Sequence, residues 1–255
     1  MQKKISVLLI SSCLCLVFVS ACLSLVFVLA QVNSDATTPQ DDVDQTIESY
    51  LGKISNEPHV NSSPHVGLPA DKLAKVALQH FDEGRYSLAM QTMDDAITRF
   101  PNDDQLRSVR ASFLLQEQKI SAALTDIEKA ISINPDKAEY YLNRFIMYHH
   151  FKRDKEGLAD LNKAIKLDNN FLAAYFNRGG LYFTQGEFEK ALEDFQTCVA
   201  ISPHTPYCYF NRSAVYNELG KTAKAIKDMQ HFLELNQQES WKKTAEELLA
   251  NWQLN

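Results

Sequence analysis

Apolar positions in the centre of the chain follow a helical spacing, break, and then follow it again. Tyr175, Gly179 and Tyr182 stand at i, i+4 and i+7, which puts them on one face of a helix. Gly186 follows, a residue that ends helices because it adopts the left-handed conformation at little cost. Ala191, Phe195 and Cys198 then restart the same spacing on a second helix, and Pro203 closes the block. The block recurs every 34 residues. Small residues fall at Ala89, Ala123, Gly157, Ala191 and Ala225. A second column runs through His80, Leu114, Tyr148, Tyr182 and Tyr216, and a third through Pro101, Pro135 and Pro203. A fixed period of this length predicts stacked helix pairs, each too small to bury its own apolar face.

The pattern of aromatic, glycine, tyrosine, alanine, phenylalanine and closing proline over 34 residues resembles the tetratricopeptide repeat, a helix–turn–helix unit. Five units run without insertion: 70–103, 104–137, 138–171, 172–205 and 206–239. The fold class implied is all-α, a right-handed α-solenoid. A segment at 240–255 carries Ser240 as a candidate N-cap and Trp241, Ala245, Leu248 and Trp252 at amphipathic helical spacing. That predicts a C-terminal capping helix over the last apolar face.

The units depart from one another in informative ways. Phe145 occupies the place of Gly179, and Gly157 the place where the other units have alanine. This reads as a large-for-small exchange within one helix pair. The third unit also has Lys152 in place of the turn glycine and Asn169 in place of the proline. In the fifth, Gln237 takes the proline place and Met229 the place of Phe195.

Upstream of the repeats the pattern changes. Lys3 and Lys4 precede an almost unbroken apolar run from Ile5 to Ala30. As a helix it would be about 39 Å long, enough for a hydrocarbon core of about 30 Å. Three fates stay open for residues 1–30. They are an uncleaved anchor, cleavage after Val28-Leu29-Ala30, and lipidation of Cys22 in the lipoprotein-like Val19-Ser20-Ala21-Cys22. Each sends the repeats to the extracytoplasmic side, the periplasm in a bacterium, since the lysines favour the cytoplasm. Membrane anchoring through residues 5–30 is the expectation, with a secreted protein or a lipoprotein as alternatives. Residues 31–69 are rich in polar residues and proline and read as a flexible tether, with a short helix at Gln45 to Ile54. Asn61-Ser62-Ser63 matches a glycosylation acceptor, which matters only in a eukaryotic secretory setting.

The net charge of −6, with no run of Lys or Arg, argues against a nucleic-acid binder. Candidate chemistry is sparse. Arg110, Arg144, Arg178 and Arg212 form a column that would suit anion binding, but Asp126, Asp160, Asp194 and Asp228 follow each of them 16 residues later. The first unit has neither, with Val76 and Thr92 instead, so the two columns read as structural ion pairs between paired helices. His149 and His150 are adjacent and diverge on a helix, and no metal site is expected. Cys198 and Cys208 lie on neighbouring helices. An oxidising compartment would allow a disulfide, while Cys198 also occupies an alanine place that suits a buried thiol. Gly179-Gly180 reads as a helix–helix contact pair rather than a nucleotide loop.

No nucleophile–base arrangement stands out, so the expectation is a protein without catalytic activity, cofactor or small-molecule substrate. The family resemblance implies binding of protein segments on the concave face lined by the first helices. By repeat phase that face holds Leu115, Leu142, Ile146, His149, Phe176, Phe183, Tyr207, Phe210, Asn217 and Glu218. Family members that clamp a C-terminal carboxylate use cations there. Here those places hold Ala74, Leu78, Ser108 and Leu142. The reading is an interaction scaffold that takes a helix or extended apolar peptide. The alternative is a non-catalytic regulatory subunit of a cell-envelope enzyme such as a protease or synthase.

Overall fold

The structure, a computed structural model, describes residues 67–236 and 238–254. Residues 1–30, read above as signal or anchor, with Cys22, most of the stretch 31–69 read as a tether, and Gln237 lie outside the described residues. The described chain is all-helical and falls into two compact bodies, 67–136 and 137–254.

The first body contains α1 (Ala70–Asp82), α2 (Tyr86–Arg99), α3 (Asp104–Gln116) and α4 (Ile120–Ile133). The second contains α5 (Ala138–His150), α6 (Asp154–Leu167), α7 (Leu172–Thr184), α8 (Phe188–Ile201), α9 (Pro206–Glu218), α10 (Thr222–Leu235) and α11 (Glu239–Gln253). Within each of the first four repeats a first helix of 13 residues, a turn of three, a second helix of 14 and a link of four fill the period of 34, and in the fifth the next helix begins one residue earlier. Sequential helices pack as pairs, and each second helix packs on the next first helix of its body.

The three-residue turns share one construction. The residues at 84, 118, 152, 186 and 220 all have positive φ, between 60° and 78°. In every turn this residue and the next donate backwards to the preceding helix, as Gly186 N does to Phe183 O at 3.0 Å and Glu187 N to Tyr182 O at 2.9 Å. This is the Schellman closure, which satisfies carbonyls that the helix end would leave bare. Gly84, Gly186 and Gly220 adopt the conformation freely, whereas Gln118 and Lys152 hold it with a side chain in place. The geometry therefore persists without its glycine. The four-residue links vary more. Where the third repeat lacks proline, Asp168 Oδ1 accepts from Asn170 N at 2.9 Å and makes the turn.

Each helix pair is closed by small residues. Ala89, Ala123, Ala191 and Ala225 are fully buried. At Gly157 even a Cβ would stand 2.9 Å from Phe145 Cδ2, so the bulky ring and the bare backbone occupy one space between α5 and α6. The fourth repeat reverses the arrangement. Gly179 faces the Phe195 ring, at 3.1 Å from a Cβ on that glycine, and Ala191 stands where Gly157 was.

The terminal helix α11 starts at Glu239 with Gln238 as its cap residue, two positions before the cap expected at Ser240. Tyr207 Oη donates to Gln238 Oε1 at 3.2 Å and so ties that start to α9. Trp241 meets the rings of Tyr207 and Phe210 edge-on, and Ala245 and Trp252 are buried in the cluster of α9 and α10. This helix covers the apolar end of the stack. Among the described residues no helix is long and apolar enough to cross a membrane.

Candidate binding surface

The arginine and aspartate columns meet. Arg110 grips Asp126 through Nε and Nη2 at 2.6 and 2.7 Å. Arg144 holds Asp160 at 2.8 and 2.7 Å, Arg178 holds Asp194 at 2.9 and 2.7 Å, and Arg212 holds Asp228 at 2.6 and 2.9 Å. Each pair joins the first and second helix of one repeat through the planar fork that suits a carboxylate. In the last three repeats the guanidinium also lies between two tyrosines of its own helix. Arg178, for example, is 5.6 Å from the Tyr175 ring and 5.9 Å from that of Tyr182.

The remaining nitrogen reaches backwards. Arg178 Nη1 donates to Asn162 on α6 at 2.7 Å, and Arg110 Nη1 contacts Asp94 on α2 at 2.6 Å. These links to the preceding repeat were not foreseen, although a polar residue stands 16 before each arginine. The hydrogen bonds that Arg178 donates to Asp194 raise its guanidinium above the usual range, against burial. Burial pushes the Asp194 carboxyl up while Arg178 pulls it down. The two-pronged geometry decides for the ionised pair, since a protonated carboxyl would forfeit one charged bond. All four arginines are thus spent on the aspartate of their own repeat, and Arg110 and Arg178 are engaged on the preceding repeat as well.

The first helices of neighbouring repeats touch within each body, α1 with α3 and α7 with α9. Phe81 and Phe113 stack at 4.2 Å across the former. The ten residues expected on this face divide by depth. Leu142, Phe176, Phe183 and Phe210 are buried and form its floor in the second body, and Leu115 of the first body is buried too, all at most 9% exposed. The reason is packing: Phe176 meets Phe195 and Phe183 meets Phe188 on the paired helix, while Phe210 lies against Phe232 and Trp241. These five are corrected from contact surface to core. Ile146, His149, Tyr207 and Asn217 are half-buried and Glu218 is exposed. His149 is committed locally, with Nδ1 2.8 Å from Asp154 Oδ1 and its ring stacked on Phe145. Half-buried Asn177 and Gly180, which the projection omitted, belong to the accessible set.

Gly179 and Gly180 part company. The first is a helix–helix contact glycine, but a Cβ on Gly180 would meet nothing within 4 Å. Cys198 and Cys208, both fully buried, form a disulfide between α8 and α9 with Cα atoms 5.8 Å apart. Among the described residues no cluster of three His, Cys, Asp or Glu is placed to hold a metal ion.

Comparison with known proteins follows the same lines. Models of the tetratricopeptide repeat match residues 172–205 and 206–239. A tetratricopeptide repeat protein from Parabacteroides merdae superposes with a TM-score of 0.64 at 17% identity, covering 84% of this chain and 82% of that one. PilW, described as a widely conserved type IV pilus biogenesis factor, gives 0.59 at 21%, over 65% of this chain and 77% of its own. YrrB, described as a tetratricopeptide protein with an unusual peptide-binding site, gives 0.57 at 15%, over 79% and 99%. At such identities the likeness is one of fold.

Proposed function

Because this chain is a tetratricopeptide repeat protein, we propose that it is a non-catalytic interaction scaffold binding a segment of another protein on its first-helix face. One observation carries the reading. The charged column of the first helices is tied up inside the fold, while the same helices present a neutral row with an aromatic floor. Ile146, Asn177, Gly180 and Asn217 are accessible along that row. A surface of this kind suits a helix or extended peptide with an apolar side and few charges. The peptide-binding site described for YrrB lies in the same fold.

We further place the scaffold at a membrane, with its repeats on the extracytoplasmic side. The support is the Lys3, Lys4 and Ile5–Ala30 pattern together with the Cys198–Cys208 bond, since disulfides persist in oxidising compartments.

The test is cross-linked capture from the source membrane fraction, comparing the intact chain with an Ile146→Arg/Asn217→Arg variant of equal helical signal and melting temperature. These two residues are accessible, whereas truncating Phe176, Phe183 or Phe210 would damage the core. A partner held by the intact chain and lost by the variant supports the face. Equal capture by both moves the interface elsewhere.

A further inference from the structure

We propose that this chain is the substrate of a disulfide-donating oxidoreductase, a partner that oxidises Cys198 and Cys208 before α9 docks on α8. The inference rests on the oxidising placement proposed above, and its test in solution succeeds or fails independently of that placement.

The bond lies where no second disulfide reaches it in the folded chain. Both cysteines are fully buried. They belong to the core cluster of Phe176, Phe183, Ala191, Phe195, Ala214 and Val215, between the fourth repeat and the fifth. A protein disulfide forms by attack of a thiolate on another disulfide, through a mixed-disulfide intermediate that needs room at sulfur for a second molecule. The closed junction offers none. The sulfurs are reachable only while α8 and α9 are apart.

The junction also closes without a bond. One repeat earlier, between α6 and α7, the equivalent places hold Ala164 and Ala174, both fully buried. Thiols are small and apolar enough for such places. A chain that folds first therefore encloses Cys198 and Cys208 as thiols and keeps them so.

Rates decide which order gives the observed bond. The contacts that close the stack run between sequential helices, and helical folds with local contacts form in microseconds to milliseconds. Unassisted disulfide formation takes seconds to hours. Left alone, folding wins by about three orders of magnitude. The intramolecular step is no obstacle, since the cysteines are 10 residues apart and a loop of that length closes in well under a microsecond. The slow event is the first encounter with an oxidant. A bond buried in this way therefore requires a fast donor that meets the chain before the junction forms.

The exchange balances. One cysteine loses its proton, and its thiolate attacks a sulfur of the donor's disulfide and releases the donor's other sulfur as a thiolate. The second cysteine, also deprotonated, attacks the sulfur of the first and releases the donor's remaining thiolate. The chain gives up two protons and two electrons, and the donor is reduced to its dithiol.

The test uses the purified full chain, reduced in denaturant and refolded by dilution. Oxidised protein disulfide isomerase is the donor and glutathione disulfide the uncatalysed control. Helical signal follows refolding, and peptide mass after alkylation reads Cys198 and Cys208. Donor present from the moment of dilution should close the bond in most chains. Added after refolding, it should act at least about a hundredfold more slowly, limited by local opening. Glutathione disulfide alone should lose the race and leave most chains folded and reduced. Oxidation of the refolded chain within about threefold of the unfolded rate would show open sulfurs and overturn the proposed order. Complete oxidation by glutathione disulfide during refolding, or a reduced chain that never folds, would remove the race and overturn the need for a donor.

Discussion

Phe145 fills the space that a side chain at residue 157 would need: a Cβ on Gly157 would stand 2.9 Å from the ring. The residues are coupled, and the fourth repeat shows the other solution, with Gly179, Ala191 and Phe195 in the places of Phe145, Gly157 and Leu161. Gly157→Ala alone overpacks α5 against α6. It should lose about 1–3 kcal/mol, less the helix propensity gained. Adding Phe145→Gly and Leu161→Phe, which imports the fourth-repeat arrangement, should recover most of that loss. Urea titrations of the variants measure the coupling, and additive losses would show that the two sites are independent.

Gln118 and Lys152 hold φ of 61° and 60° in turns where three other repeats use glycine. Gln118→Gly and Lys152→Gly should each stabilise by about 1 kcal/mol, raising Tm by roughly 2–4 °C. Gly186→Ala, with open space around its Cβ, should lose a similar amount through conformation alone. Calorimetry reads all three, and a fall in Tm for Lys152→Gly would mean its side chain contributes more than the turn costs.

Arg178 and Asp194 should fail singly and recover together. Asp194 is 2% exposed, so Arg178→Val leaves a buried carboxylate without its partner, at about 3–5 kcal/mol. The first repeat shows how the pair can be replaced. Val76 and Thr92 are buried in the equivalent places, and Thr92 Oγ1 donates to Leu88 O at 2.8 Å. Arg178→Val with Asp194→Thr should therefore regain most of the stability. Chemical denaturation decides it, and a double variant as weak as the single would assign the pair a larger share of the fold.

The Cys198–Cys208 bond closes a short loop between consecutive repeats. Alanines occupy the equivalent places at Ala164 and Ala174, both fully buried, so Cys198→Ala/Cys208→Ala should fold. It should lose about 2–4 kcal/mol against the oxidised chain and match it under reducing conditions. Because both sulfurs are shielded, the bond should resist reductant until the chain unfolds. Thiol titration at Cys198 and Cys208 of protein from its own compartment, with reductant applied before or after denaturation, tests this, and rapid reduction of the folded chain would show that the bond is accessible.

Much of the fold was legible because a 34-residue period writes itself into several columns at once. Columns such as Ala89 to Ala225 fix the phase even where a turn residue is replaced. The ion pairs were legible for the same reason, as Arg and Asp appear and disappear together. Depth was not legible. Phe176 and Ile146 share a helix face by phase, yet the ring of Phe176 turns onto Phe195 while Ile146 stays accessible. Side-chain size decides this, because a long ring at a helix contact reaches the paired helix. The two glycines of α7 make the same point: sequence pairs them, and only the position of Phe195 separates them.

The disulfide also has a mechanical consequence. A pull on the two ends of the chain would pass from α8 to α9 through sulfur and leave residues 199–207 slack. The bond hides on the order of 30 Å of extensible contour at that junction. Peeling that advances from the C-terminal helix would consume α11, α10 and α9 and then halt at a covalent lock. The chain beyond it would keep carrying load, as a strap does when its end frays outside the buckle.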